Sequence, residues 1–118
     1  LSEQNLKIFL NMYDFALWML NHTSKFPKSS RFSVSVRIEN LILDMLEGII
    51  IANRRQKKEG KLFEIDENLE RLRILIRLSK DMKFLSPQSY EYAAKQLNET
   101  GKMLGGWIKQ QKIAAVEN

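Results

Sequence analysis

The sequence predicts an all-α protein, an antiparallel four-helix bundle forming a single domain over residues 1–118. Three observations lead there. Apolar residues recur at helical spacing through four stretches, and no stretch shows the alternation of a strand or a hairpin turn signal. Three short connections, "KFPKSSRF", "KKEGKLFEID" and "SPQS", interrupt the periodicity, and short connections make neighbouring helices antiparallel. The 118 residues include 44% hydrophobic residues but only two prolines and five glycines. That is enough chain for one core and too apolar for disorder.

The first helix is expected over about 3–24. Pro27 ends it, because the residue before a proline is pushed out of helical geometry. Ser29 or Ser30 is the expected cap of the second helix, over about 31–56. Gly60 is placed at the turn of the next connection. Asp66 is the expected cap of the third helix, over about 66–84. Ser86 then serves as a cap with Pro87 at the first helical position of the fourth helix, over about 87–112. The tail "IAAVEN" is expected to fray.

Placing residues at 100° intervals shows wide apolar arcs. In the first helix Lys7, Asn11, Asp14, Asn21 and His22 share one narrow polar strip. Leu6, Phe9, Met12, Tyr13, Ala16, Leu17, Met19 and Leu20 cover most of the rest. The second helix has Ser33, Arg37, Asn40, Asp44 and Glu47 on its strip and an apolar remainder. The third places Arg73, Arg77 and Lys80 on one exposed strip with Glu70 and Asp81 beside it. A surface helix needs an apolar stripe only a little over ~100° wide. Arcs this wide predict burial between subunits. Glu39 falls inside the apolar arc of the second helix and needs a partner there; Arg71 on the third helix is a candidate.

The fourth helix has a narrow stripe: Tyr90, Ala93, Ala94, Leu97, Gly101, Leu104 and Ile108. Within it "GKMLGGWIK" carries three glycines, each costing roughly 1 kcal/mol relative to alanine in a helix interior. Trp107 and Ile108 continue the apolar pattern past them, so the glycines do not simply end the helix. Gly101 and Gly105, four apart, are expected to admit close packing by a neighbouring helix, with Trp107 and Met103 forming a second apolar patch. Lys95, Lys102 and Lys109 recur every seven residues on the far side.

Catalytic chemistry has little to work with. There is one histidine, no cysteine, no carboxylate cluster with metal-ligand spacing and no phosphate-binding glycine loop. Glu39, Asp44 and Glu47 lie along one helix but lack the Glu-x-x-His partner of bundle metal sites. The expectation is a protein that is not an enzyme and uses no cofactor and no metal. The apolar stretch from Leu6 to Leu20 holds Lys7, Asn11 and Asp14 and is too short for a membrane span. A cytoplasmic location, with no membrane partner, is the expectation. The formal net charge is +5. Arg54, Arg55, Lys57, Lys58 and Lys61 crowd one connection, and Arg73, Arg77, Lys80 and Lys109 add further cations. These nine are the candidate nucleic-acid contacts, through phosphates rather than bases, because no base-reading motif is present. The bland alternative is a set of solvated faces.

Three segments carry a family resemblance: "KFPKSSRF", "LRILIRLSKDMKFLSPQSY" and "GKMLGGWIK", in that order. Together they resemble the four-helix-bundle family of accessory variability determinant (Avd) proteins of diversity-generating retroelements. Proteins encoded in intervening sequences of bacterial 23S rRNA genes belong to the same group. The resemblance covers about Tyr13 to Lys109. It implies a barrel-like homo-oligomer, a pentamer, with a basic surface. It also implies binding of RNA or DNA and of a reverse transcriptase, in support of mutagenic cDNA synthesis and retrohoming, without catalysis. Arg73 and Arg77 in "LRILIR", and Lys109 after "GGWI", match the family's basic pattern; the Arg54–Lys61 cluster stands on charge alone. The other readings are the rRNA branch, of undefined role, and a purely structural, protein-binding oligomer.

Overall fold

Ser2 starts the first helix. Its backbone is extended and its hydroxyl accepts the Asn5 N–H at 3.2 Å, satisfying a donor the helix cannot. In the computed structural model, which describes residues 1–117, four long helices follow: α1 (Glu3–Thr23), α2 (Val36–Arg54), α3 (Glu59–Asp81) and α4 (Pro87–Glu117). Among the described residues every regular element is helical. Each helix packs on its sequence neighbour, and α1 closes the ring against α4. The result is a rod of 51 × 25 × 20 Å.

One apolar seam runs along its axis. Ile8, Met12, Phe15 and Met19 of α1 meet Ile38, Ile42, Met45 and Ile49 of α2. Leu62, Ile65, Leu69, Leu72 and Ile76 of α3 and Ala93, Leu97, Leu104 and Trp107 of α4 complete it. Gly48 belongs to this seam. A Cβ there would lie 3.0 Å from Ile65 Cγ1, so its absence lets α2 and α3 draw together, a role not expected of this glycine.

The connections differ most from expectation. After Pro27 the chain makes a 3₁₀ turn, Lys28–Ser30, and then a π-helical turn, Arg31–Ser35, before α2. Neither Ser29 nor Ser30 caps α2. Ser30 Oγ instead donates to Pro27 O at 2.9 Å and lies 3.1 Å from Ser35 Oγ. With its proton given to Pro27, Ser30 Oγ accepts from Ser35 Oγ, so both buried hydroxyls donate within the turn.

The α2–α3 connection is shorter than expected, and α3 begins at Glu59 rather than Asp66. Lys58 makes this possible. Its ammonium donates to the carbonyls of Ala52 and Asn53, at 2.8 and 2.9 Å, and to that of Arg55. The last carbonyls of α2 are thereby satisfied, and the chain reverses at once. Gly60 thus lies in the first turn of α3 rather than in a loop. Burial of Leu62 and Ile65 outweighs its poor propensity.

The start of α4 matches expectation: Pro87 is the first helical residue and Ser86 Oγ accepts the Ser89 N–H at 3.0 Å. Its end does not. The tail expected to fray is helical through Glu117; Asn118 lies outside the described residues. No helix is long and apolar enough to cross a membrane among the described residues.

α3 stops three residues earlier than its periodicity suggests, at Asp81. Phe84 N–H bonds to Ser79 O at 2.8 Å and Lys83 N–H to Lys80 O at 2.9 Å. These are the two bonds of a Schellman motif. Lys83 therefore has φ of 65°, where a glycine is usual and a Cβ costs roughly 1 kcal/mol. Lys83→Gly should raise stability by about 1 kcal/mol, a few degrees in Tm at fixed protein concentration. A lower Tm would show that the lysine side chain contributes more than its backbone strain costs.

Candidate nucleic-acid interface

The basic residues singled out by the sequence do not form one surface. Arg73 is the clearest departure. Instead of standing on an exposed strip with Arg77 and Lys80, it is half-buried and reaches across to α4. Its Nη2 lies 3.4 Å from the Leu97 carbonyl, which accepts from it. Its Nε is buried without a hydrogen bond, with Glu70 Oε1 3.8 Å away. Opposite the guanidinium is Gly101: a Cβ there would sit 2.7 Å from Arg73 Nη2 and 3.4 Å from Leu69 Cδ2. So the group that approaches Gly101 is an arginine head, not the backbone of a neighbouring helix.

Gly105 differs. Nothing lies within 4 Å of where its Cβ would be, so no packing within the protomer calls for it. Trp107, by contrast, is buried in the core.

The groove beside Arg73 is mixed in charge. Asp66, Glu70, Glu91 and Glu99 line it with Lys95 and Lys102. Four carboxylates facing three cations do not attract a polyanion. At the end of α3, Arg77 is exposed but tied to Asp81, with Nε 3.2 Å from Oδ2. That carboxylate, with Tyr90 contributing less, raises the guanidinium above its ordinary range. Lys80 Nζ sits over the Tyr90 ring, 4.9 Å from its centroid, a cation–π contact.

Glu39 finds a partner other than Arg71. Thr23 Oγ1 donates to Glu39 Oε2 at 2.7 Å, while Arg71 donates to Asn68 Oδ1 at 2.9 Å. An intrahelical neighbour was the nearer choice for the arginine. The carboxylate sits where α1 ends against α2.

The other cluster separates into two kinds of cation. Lys58 caps α2, and Lys61 pairs with Glu64 at 3.0 Å. Arg54, Arg55 and Lys57 are exposed and have no ion pair among the described residues. The fold brings a second group beside them. Lys57 and Lys58 share a groove with Gln111, Ala114 and Ala115 of α4, which places Lys109 and Lys112 at the same end of the rod. Lys112 was missed in the sequence because it lay in the part of α4 expected to end. Arg54, Arg55, Lys57, Lys109 and Lys112 thus lie toward one end of the rod, Lys57 in a groove that Glu59 also lines and Lys109 with Lys112 on another face of α4. Among the described residues no group of three or more metal-ligating side chains occurs.

A family model described as bAvd-like matches residues 4–111. The chain belongs to the bAvd-like family. The match spans all four helices and agrees with the Avd resemblance carried by the three sequence segments. Avd-like proteins are of an accessory, non-catalytic kind. No curated protein matches this bAvd-like chain.

The glycines of this bAvd-like protein give a direct test of the geometry. Gly105→Ala should stabilise by up to ~1 kcal/mol, the propensity gain alone. Gly101→Ala should gain less, because the Arg73 head must withdraw from Leu97. In an Arg73→Met background Gly101→Ala should recover the full gain, a coupling that a double-mutant cycle of urea titrations reads directly. Zero coupling would place the arginine elsewhere. A loss at Gly105 would mean that another subunit packs there.

Proposed function

We propose that this bAvd-like protein is a non-catalytic accessory protein of a diversity-generating retroelement, binding nucleic acid and a reverse transcriptase as a homo-oligomer. The observation that carries the nucleic-acid reading is that the exposed Arg54, Arg55 and Lys57 and, on another face of α4, Lys109 and Lys112 all lie toward one end of the rod. Exposed cations without carboxylate partners are free to exchange counterions for phosphates. No base-reading motif positions these cations against base edges, so binding is read as sequence-tolerant.

Oligomerisation is supported by apolar residues that the bundle leaves outside. Leu6, Leu10, Tyr13 and Leu17 of α1, spaced 4, 3 and 4 apart, make one exposed stripe, with Leu17 58% exposed. Leu43 and Ile51 of α2 and Ile74, Leu78 and Met82 of α3 are exposed as well. A stripe of this kind costs solvation in an isolated protomer and favours a second copy of the same chain. The family suggests five copies and a reverse transcriptase as the further partner.

Two measurements test the reading. Light scattering should give a mass several times the 13.9 kDa of the chain, and Leu10→Glu with Leu17→Glu should lower it toward one protomer. A monomeric wild type at micromolar concentration would overturn the assembly. If the five cations each neutralise one phosphate, log K against log salt on duplex DNA should have a slope of about −4.5. Replacing Arg54, Arg55 and Lys57 with glutamine should reduce it to about −2. Equal slopes would remove this end from the interface. A reverse transcriptase gene beside paired template and variable repeats in the source genome would support the enzyme partner.

A further inference from the structure

The opposite end of the rod carries cations that no part of the fold uses. Lys25 and Lys28 belong to the α1–α2 connection, Arg31 opens the π-helical turn, and Lys83 sits at the left-handed end of α3. All four are exposed, and none forms an ion pair among the described residues. The two connections are bolted together by Phe26 and Phe84, whose ring centroids are 5.3 Å apart. The carboxylates nearest in the chain are only two, Asp81, paired with Arg77, and Glu39, which accepts from the Thr23 hydroxyl, against the four cations. This end is therefore net positive.

Next to Arg31, in the same π-helical turn, stands Phe32, 89% exposed. The neighbouring Ser30 and Ser35 are buried and Val34 packs against the core. The turn thus spends buried positions on two serines while holding a phenyl ring out in water. A single exposed aromatic is ordinary. One set in a π-helical turn, a feature common at functional sites, and flanked by free cations is the arrangement that takes unpaired bases: ring faces for stacking, cations for phosphates.

We propose that this end of the bundle binds single-stranded nucleic acid, with Phe32 as the stacking platform and Lys28, Arg31 and Lys83 as its phosphate contacts. The inference rests on the nucleic-acid reading above and adds a second, chemically different seat to it. The far end would hold phosphates of any strand, and this end would hold exposed bases.

The test uses the full chain, a uridine 12-mer, a thymidine 12-mer, an abasic 12-mer and a 12-base-pair DNA duplex, titrated by fluorescence anisotropy. Phe32→Ala should weaken binding to the base-bearing single strands about tenfold. It should change the abasic strand and the duplex by less than twofold. Phe32→Trp should retain or improve the single-strand affinity. Lys28→Gln with Arg31→Gln should weaken all four probes. Loss on only one of the two base-bearing strands would identify that strand as the one the site takes. Unchanged affinity of Phe32→Ala for both, with wild-type duplex binding intact, would overturn this inference alone. So would an equal loss on every probe, or a changed oligomeric mass, which would put the ring in a protein interface. A wild type that binds none of the probes would overturn the nucleic-acid reading and this inference together.

Discussion

A four-helix seam can cover only a limited arc of each helix, and this chain supplies more apolar surface than the seam can take. The core admits one ridge from each helix, the positions of Ile8, Met12, Phe15 and Met19 on α1 being typical. Residues on nearly the opposite face, Leu6, Leu10, Tyr13 and Leu17, are largely apolar too and remain outside. Hydrocarbon takes part of the long sides of the rod, and several cations unpaired among the described residues lie where the helices end. Arg54, Arg55 and Lys57 collect at one end, and Lys25, Lys28, Arg31 and Lys83 at the other. Along the sides the cations of the α3–α4 groove are matched by carboxylates, whereas at these two tips cations outnumber them.

Arginine and lysine in this chain serve several ends. Arg73 spans two helices, Lys58 closes the end of α2, Lys80 covers a tyrosine and Arg77 holds an aspartate. Each is structural in the sense that its head group is held by the protomer itself. Long side chains suit these tasks because their stems lie along apolar surface while the charged group finds a polar neighbour. Net charge therefore overstates what a polyanion can reach.

The helices were legible because periodicity and capping are local. Ser86 with Pro87, Pro27 as a stop and the apolar ridges all act within a few residues. The connections were not, because their chemistry is carried by side chains that act at a distance or by unusual backbone. Nothing local marks Lys58 as the group that ends α2, or Lys83 as a left-handed residue where glycine is usual. The site suffered in the same way. A helical wheel puts Arg73 in line with Arg77, but it cannot show that Gly101 on another helix opens a space the guanidinium fills. That a glycine-rich stretch marked a close approach was readable; what approached was not. The placement of Lys112 beside Glu59 and Gly60 at the start of α3 needed the true extents of α3 and α4.

The polar ties between helices have a consequence for alignment along the rod axis. A seam of interchangeable aliphatic groups resists separation strongly but axial sliding only weakly, since a shift of one turn, about 5.4 Å, matches hydrocarbon to hydrocarbon again. Asn5 with Asn53 at one end of the α1–α2 pair, and Thr23 with Glu39 at the other, do not survive such a shift. Asn11 with Thr100 does the same for α1 against α4. Each tie would leave half-buried polar groups without partners if the helices slipped. They act as dowels. Because of them α1 keeps a fixed axial register against both α2 and α4, and the connection that joins α1 to α2 is held at a fixed height on the bundle.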